Sequence, residues 1–227
     1  MRAKKHIPSL IMNFLIVIFV TVGFVVVMMP KKSPEGAVLA AKGLQNLRYY
    51  TVLSNLFCGI ISLLWIVSEL RGRRFSALLK LMAAAAVSLT FSVVAFFLAP
   101  MNPGLNLYQD GNLWFHLIVP VTAMIEFLIL DTEKVPLKKT LLTALPVLGY
   151  GVGYLINILI NGIGKWPDSN DWYGFLNWGY PVGILIMVFA FLINWGIACL
   201  MQLLNQSFRK LSAKLRAGSS GRKTDGE

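Results

Sequence analysis

Thr51, Ser54 and Asn55 stand at i, i+3 and i+4 and so share one face of any helix that carries them. They follow Arg48, Tyr49 and Tyr50 at the mouth of a long apolar run. Two hydroxyls and a carboxamide on one face need polar partners once lipid surrounds them. His116, near the start of a second apolar run, is the partner with the most chemistry. A neutral imidazole can take a proton at working pH, since its unperturbed pKa is about 6.5. A hydroxyl beside such a base becomes a nucleophile, and Thr51 is the candidate. Ser54, one turn deeper, is the competing hydroxyl. Asn55 either orients His116 or donates to an oxyanion. The plainer alternatives are a threonine bonded to its own backbone and an imidazole bonded to a carbonyl or tyrosine near the headgroups. No acidic residue completes a three-member relay: Glu126 lies about 15 Å further along the helix and reads as an ion-pair or inner-end residue.

The elements that must position these groups are membrane helices. Hydrophobic residues make up 56% of the 227-residue chain and charged ones only 14%. A soluble domain carries about 45–50% and roughly 25%. Six apolar runs reach the roughly 20 residues that a span needs: residues 7–29, 47–69, 75–98, 113–130, 140–163 and 178–204. The expected fold is an all-α, polytopic six-helix transmembrane bundle over residues 1–205, followed by a basic tail, 206–227. The short alternating segments of a β-barrel are absent. Asn13 should make an interhelical hydrogen bond, Ala83 to Ala86 should form a close-packing face, and Pro120 should bend the fourth span. The tail should begin as an interfacial helix and end in ten disordered residues.

Charge gives the orientation. With the N-terminus inside, fifteen Lys and Arg fall on inner segments and five on outer loops, which predicts N-in and C-in. Lys80, near the inner end of the third span, is expected to snorkel inward. The net charge of +11 does not point to nucleic acid, because the basic residues cluster between apolar runs and in the tail. It points instead to anionic lipid headgroups at the inner face. Cys58 and Cys199 read as packing residues inside spans. His6 and His116 are far apart, no Cys-x-x-Cys occurs, and neither a metal nor another cofactor is called for.

Topology then brings several polar groups to one level. Thr51 and His116 each lie about one turn, 5–6 Å, below the outer end of a span that runs inward. Asn161 near the end of span five and Tyr180 near the start of span six reach the same layer. Tyr150, Tyr154, Asn157 and Asn161 form a stripe at i, i+4, i+7 and i+11, either a hydrogen-bonded seam or the polar wall of a cavity. The aromatic outer loop from Gly164 to Phe175 is either an interfacial belt or a lid. Asp168 and Asp171 in it lack a full calcium ligand set. Arg48 at the rim suits a carboxylate, a lipid phosphate or a headgroup anchor.

Thr51-x-x-Ser54-Asn55 in span two and His116-x-x-x-Pro120 in span four, within six spans, resemble the androgen-induced-gene family. That family includes the androgen-dependent regulator of tissue factor pathway inhibitor. The chain looks like its bacterial branch, over about residues 7–205, and the aromatic loop before span six is also similar. The resemblance implies a membrane threonine hydrolase, of the kind that cleaves fatty acid esters of hydroxy fatty acids. Thr51 matches the family's nucleophilic threonine and His116 its histidine. Ser54, Asn55 and Pro120 match the bacterial-type pattern. The expectation is a lipid-ester hydrolase of a bacterial cell membrane, working near the outer leaflet. Arg48, Ser54, Asn55, Tyr154, Asn157, Asn161 and Tyr180 would support the site. The alternatives are a lipid- or small-molecule-binding protein or transporter using the same cavity without chemistry, and a scaffold whose polar seam only packs helices.

Overall fold

The structure, a computed structural model, describes residues 3–29, 43–104, 106–130, 133–165 and 169–221. The lysines of the first outer loop, Asp131, Asp168 and the chain from Arg222 onward lie outside the described residues, as does the His6 side chain. No strand occurs among the described residues. Six helices are long and apolar enough to cross a membrane, and the chain is a multi-pass integral membrane protein. They are α1 (Ala3–Met28), α2 (Tyr50–Leu70), α3 (Ala77–Met101), α4 (Asp110–Ile129), α5 (Leu137–Asn161) and α6 (Tyr180–Gly221). "Outer" below means the end to which the charge distribution assigns the α2 N-terminus.

Two of the boundaries that differ from the sequence reading have local reasons. α2 starts at Tyr50 rather than residue 47, because Gly43–Arg48 is a 3-10 turn and Tyr49 is extended (φ −87°, ψ 133°). α6 runs unbroken through Gly221, so the tail continues the last span and is not a separate interfacial helix. Residues 218–221, expected to be disordered, are its last turn. At 1.5 Å per residue α6 is about 63 Å long, twice the hydrocarbon thickness.

α3 is the central helix, packed against α2, α4 and α6. Ala83 to Ala86 are buried there and let the neighbouring helices approach closely. α1 closes the bundle against α2 and α4. Toward the outer half, Ile16, Val20, Val52, Val87, Phe115 and Val119 form one apolar cluster. Toward the inner half, Trp65, Leu81, Phe127, Leu130, Ala198 and Met201 form another.

A closed ionic knot lies near the inner end. Lys80 does not snorkel to the inner interface; only 4% of it is exposed. Its Nζ meets Glu126 Oε2 at 2.8 Å and donates to Asn13 Oδ1 at 2.7 Å. Asn13 Nδ2 completes the circuit by donating to Glu126 Oε1 at 2.7 Å. Residues from α1 and α4 converge on Lys80, so the charge is neutralised inside the bundle rather than carried to the interface. The interhelical bond expected of Asn13 is present, twice over.

Pro100 in α3 and Pro120 in α4 each lie just past a wide π turn, Val94–Leu98 and Trp114–Ile118. Proline has no N–H for the i→i−4 ladder, and its ring crowds the carbonyl four residues back. A π turn relieves that crowding by widening the helix there. His116 therefore sits inside a π turn.

Candidate functional site

The site grows from the break before α2. Because Tyr49 is extended, the carbonyls of Leu47 and Arg48 are off the helical ladder. The Arg48 carbonyl accepts instead from the Tyr150 hydroxyl at 2.7 Å. A threonine in a membrane helix normally donates to the carbonyl three or four residues back. Thr21, Thr122, Thr140 and Thr143 all do so, and Thr90 pairs with Ser54 at 3.1 Å. Thr51, two residues into α2, finds no such carbonyl. It is half-buried, and among the described threonines its hydroxyl alone has no hydrogen-bond partner.

The deeper polar residues hold the helix beneath it. Ser54 Oγ contacts the Thr51 carbonyl at 3.2 Å as well as Thr90. Asn55 is fully buried, and its Nδ2 donates to the Thr51 carbonyl at 2.7 Å and to the Phe115 carbonyl of α4 at 3.1 Å. Both amide hydrogens are thus spent, which removes the oxyanion role open to Asn55 from sequence. Its Oδ1 is buried without a partner. One nitrogen bridging two carbonyls brings the first turn of α2 within about 6 Å of the π turn that carries His116.

His116 is buried, and its Nδ1 lies 2.7 Å from the Leu107 carbonyl. A carbonyl only accepts, so Nδ1 carries the proton and the neutral ring keeps a lone pair on Nε2. No hydrogen bond to Nε2 occurs among the described residues. The loop supplying Leu107 is turned by Asn106, whose side-chain oxygen accepts from the Tyr108 N–H at 3.0 Å. A fixed tautomer with a free Nε2 is what a general base requires. Thr51 and His116 are not directly hydrogen bonded to each other.

An aromatic cover completes the outer end. The Tyr173 hydroxyl accepts from the Tyr50 N–H at 2.9 Å, satisfying an orphan donor of the α2 N-terminus. Trp172 Nε1 donates to the Tyr150 hydroxyl at 3.0 Å. The Arg48 guanidinium lies over the Tyr49 and Trp172 rings at 5.2 and 5.6 Å, donates to the Tyr49 hydroxyl at 3.2 Å, and leaves Nε buried without a partner. Tyr154 donates to the Asp171 carboxylate, which also accepts from the Leu176 N–H at 2.9 Å. Asp171 is therefore a loop clamp. Burial, and then the charge field of Tyr49, push the Tyr173 phenol from 10.0 to about 12, which keeps it protonated.

The sequence-derived residues thus separate into two groups. Thr51, Ser54 and Asn55 share the first turns of α2, and Asn55 ties them to the Phe115 carbonyl next to His116 in α4; Arg48 and Tyr154 join the start of α2 through Tyr150, Trp172 and Tyr173. Asn157 and Asn161 bond each other, and Asn157 also bonds Asn170, fastening the loop to the end of α5. Tyr180 is half exposed at the start of α6. Among the described residues neither Asn161 nor Tyr180 hydrogen bonds to His116. Sequence reasoning missed the Leu107 and Phe115 carbonyls, which carry no side-chain signal, and the specific use of Tyr173. Among the described residues no group of three or more His, Cys, Asp or Glu could hold a metal ion. Comparison with protein-family models, curated proteins and solved structures found no match to this chain.

Proposed function

We propose that this protein is a membrane ester hydrolase of the bacterial androgen-induced-gene type, acting on a lipid ester near the outer leaflet. The observation that carries the reading is the free Thr51 hydroxyl, unlike every other described threonine, on a turn that Asn55 ties to the π turn of His116, an imidazole whose tautomer leaves Nε2 as base. In the proposed reaction Thr51 Oγ attacks the ester carbonyl while His116 Nε2 takes the hydroxyl proton. The tetrahedral oxyanion collapses, His116 returns the proton to the leaving alcohol, and an acyl-threonine remains. Water then attacks that ester, His116 takes its proton, and Thr51 Oγ leaves and is reprotonated. The depth suits a lipid ester, which lies at the boundary of headgroup and acyl chain. The second reading, binding without chemistry, is favoured by one observation: Thr51 and His116 make no direct hydrogen bond.

The test is fluorophosphonate labelling of the purified protein together with turnover of lipid esters. The expected result is labelling and turnover in wild type, loss of both in Thr51→Ala, and loss of turnover in His116→Ala. Labelling that persists unchanged in Thr51→Ala removes the nucleophile, and full turnover in His116→Ala removes the base. Tight lipid binding with no turnover supports the second reading.

A further inference from the structure

The Phe115 carbonyl has lost both of its helical donors. At α spacing its donor is the Val119 N–H, but that group bonds the Trp114 carbonyl across the π turn. At π spacing its donor is residue 120, and Pro120 has no N–H. The carbonyl belongs to a residue only 1% exposed, so water does not replace the missing donor. Asn55 Nδ2 supplies it from α2 at 3.1 Å. The same amide holds the Thr51 carbonyl at 2.7 Å, and because both partners are carbonyls the amide cannot flip.

We propose that Asn55 and Pro120 form a matched pair of positioning residues: proline strands the Phe115 carbonyl, and asparagine uses it to lock the His116 turn against the Thr51 turn. A π turn inserts one extra residue into a helical turn, which swings everything before it by about 100° relative to an α-helix. His116 faces the Leu107 carbonyl only while that turn persists. The pair therefore sets where the imidazole points without touching substrate. This inference rests on the hydrolase reading for its catalytic meaning, but its structural content does not.

The experiment is a double-mutant cycle on the purified protein, reading thermal stability and ester turnover separately. Asn55→Ala strands the Phe115 carbonyl and should lower the melting temperature and reduce kcat at least tenfold with little change in KM. Asn55→Asp, which offers only acceptors to two carbonyls, should be worse than Asn55→Ala. Pro120→Ala restores an N–H five residues past Phe115, at π spacing. In that background Asn55→Ala should cost much less in both readouts, because the restored N–H takes over the carbonyl. Additive losses in the double variant, or full kcat in Asn55→Ala, overturn the proposal. If wild type turns over no ester, the hydrolase reading fails while the stability cycle still decides whether the pair is coupled. If esters turn over and the stability cycle is additive, the positioning pair fails and the hydrolase reading stands.

Discussion

Replacing Lys80 by Met tests whether the ionic knot is a net stabiliser or only a mutually dependent one. In wild type, Glu126 is 1% exposed and accepts from Lys80 and Asn13. Lys80→Met leaves the carboxylate with Asn13 Nδ2 alone in an apolar surround. Removing one member of a buried ion pair costs about 3–5 kcal/mol, because the other charge is left uncompensated. Removing both charges, in Lys80→Met with Glu126→Met, eliminates that penalty. What remains is Asn13: its Oδ1 loses Lys80, and its Nδ2 keeps only the Ser9 carbonyl at 2.8 Å. An unpaired buried polar group costs about 1–3 kcal/mol. The double variant should therefore be more stable than Lys80→Met by about 2 kcal/mol, the difference between those two ranges. Adding Asn13→Leu should recover most of the rest. The assay is reversible unfolding in mixed micelles or bicelles, followed by tryptophan fluorescence, since Trp65 lies 5.8 Å from Lys80 Nζ. Strictly additive losses across the single and double variants would refute the closed-circuit reasoning.

Three further outcomes follow from single contacts. Gly23→Val places a Cβ 2.6 Å from Phe115 and 2.8 Å from Trp114, so it should cost about 1–3 kcal/mol by overpacking and lower ester turnover by displacing the His116 turn; unchanged stability and turnover would show that the turn is not rigidly seated. Asn205→Ala removes one amide from three carbonyls at the end of α4, those of Phe127, Leu128 and Leu130, and should lower stability by about 1–3 kcal/mol while leaving fluorophosphonate labelling of Thr51 intact. The Tyr173 phenol is held up at about 12 against 10.0, so the folded state binds its proton more tightly than the unfolded chain. Its contribution is fully present below pH 10 and is lost as pH rises from there toward 12. An alkaline stability titration should show a larger loss in wild type than in Tyr173→Phe; identical curves would remove Tyr173 from the linkage.

How much of this is legible in the chain depends on what kind of signal each part leaves. The spans are readable because an apolar run near 20 residues long has few alternatives, and orphan backbone groups in lipid force it into a helix. Asn13 is readable as an interhelical donor because a lone amide in an apolar run must find a partner. Lys80 misleads because a basic residue near a helix end has two low-energy outcomes, snorkelling and pairing. Only the convergence of Asn13 and Glu126, which belong to helices far apart in sequence, selects the second. The level of Thr51 and His116 follows from helix rise and alternating direction, but the lateral meeting of α2 and α4 does not. That meeting runs through two backbone carbonyls, and neither has a sequence signature of its own. Pro120 is the nearest thing to one: a missing N–H implies a carbonyl that must be served from elsewhere, and Asn55 is the buried donor at the right depth. The same reasoning explains why Thr51 is unusual. Its freedom is set not by its own identity but by the extended Tyr49 before it, which takes away the carbonyls that a threonine deeper in the helix would use.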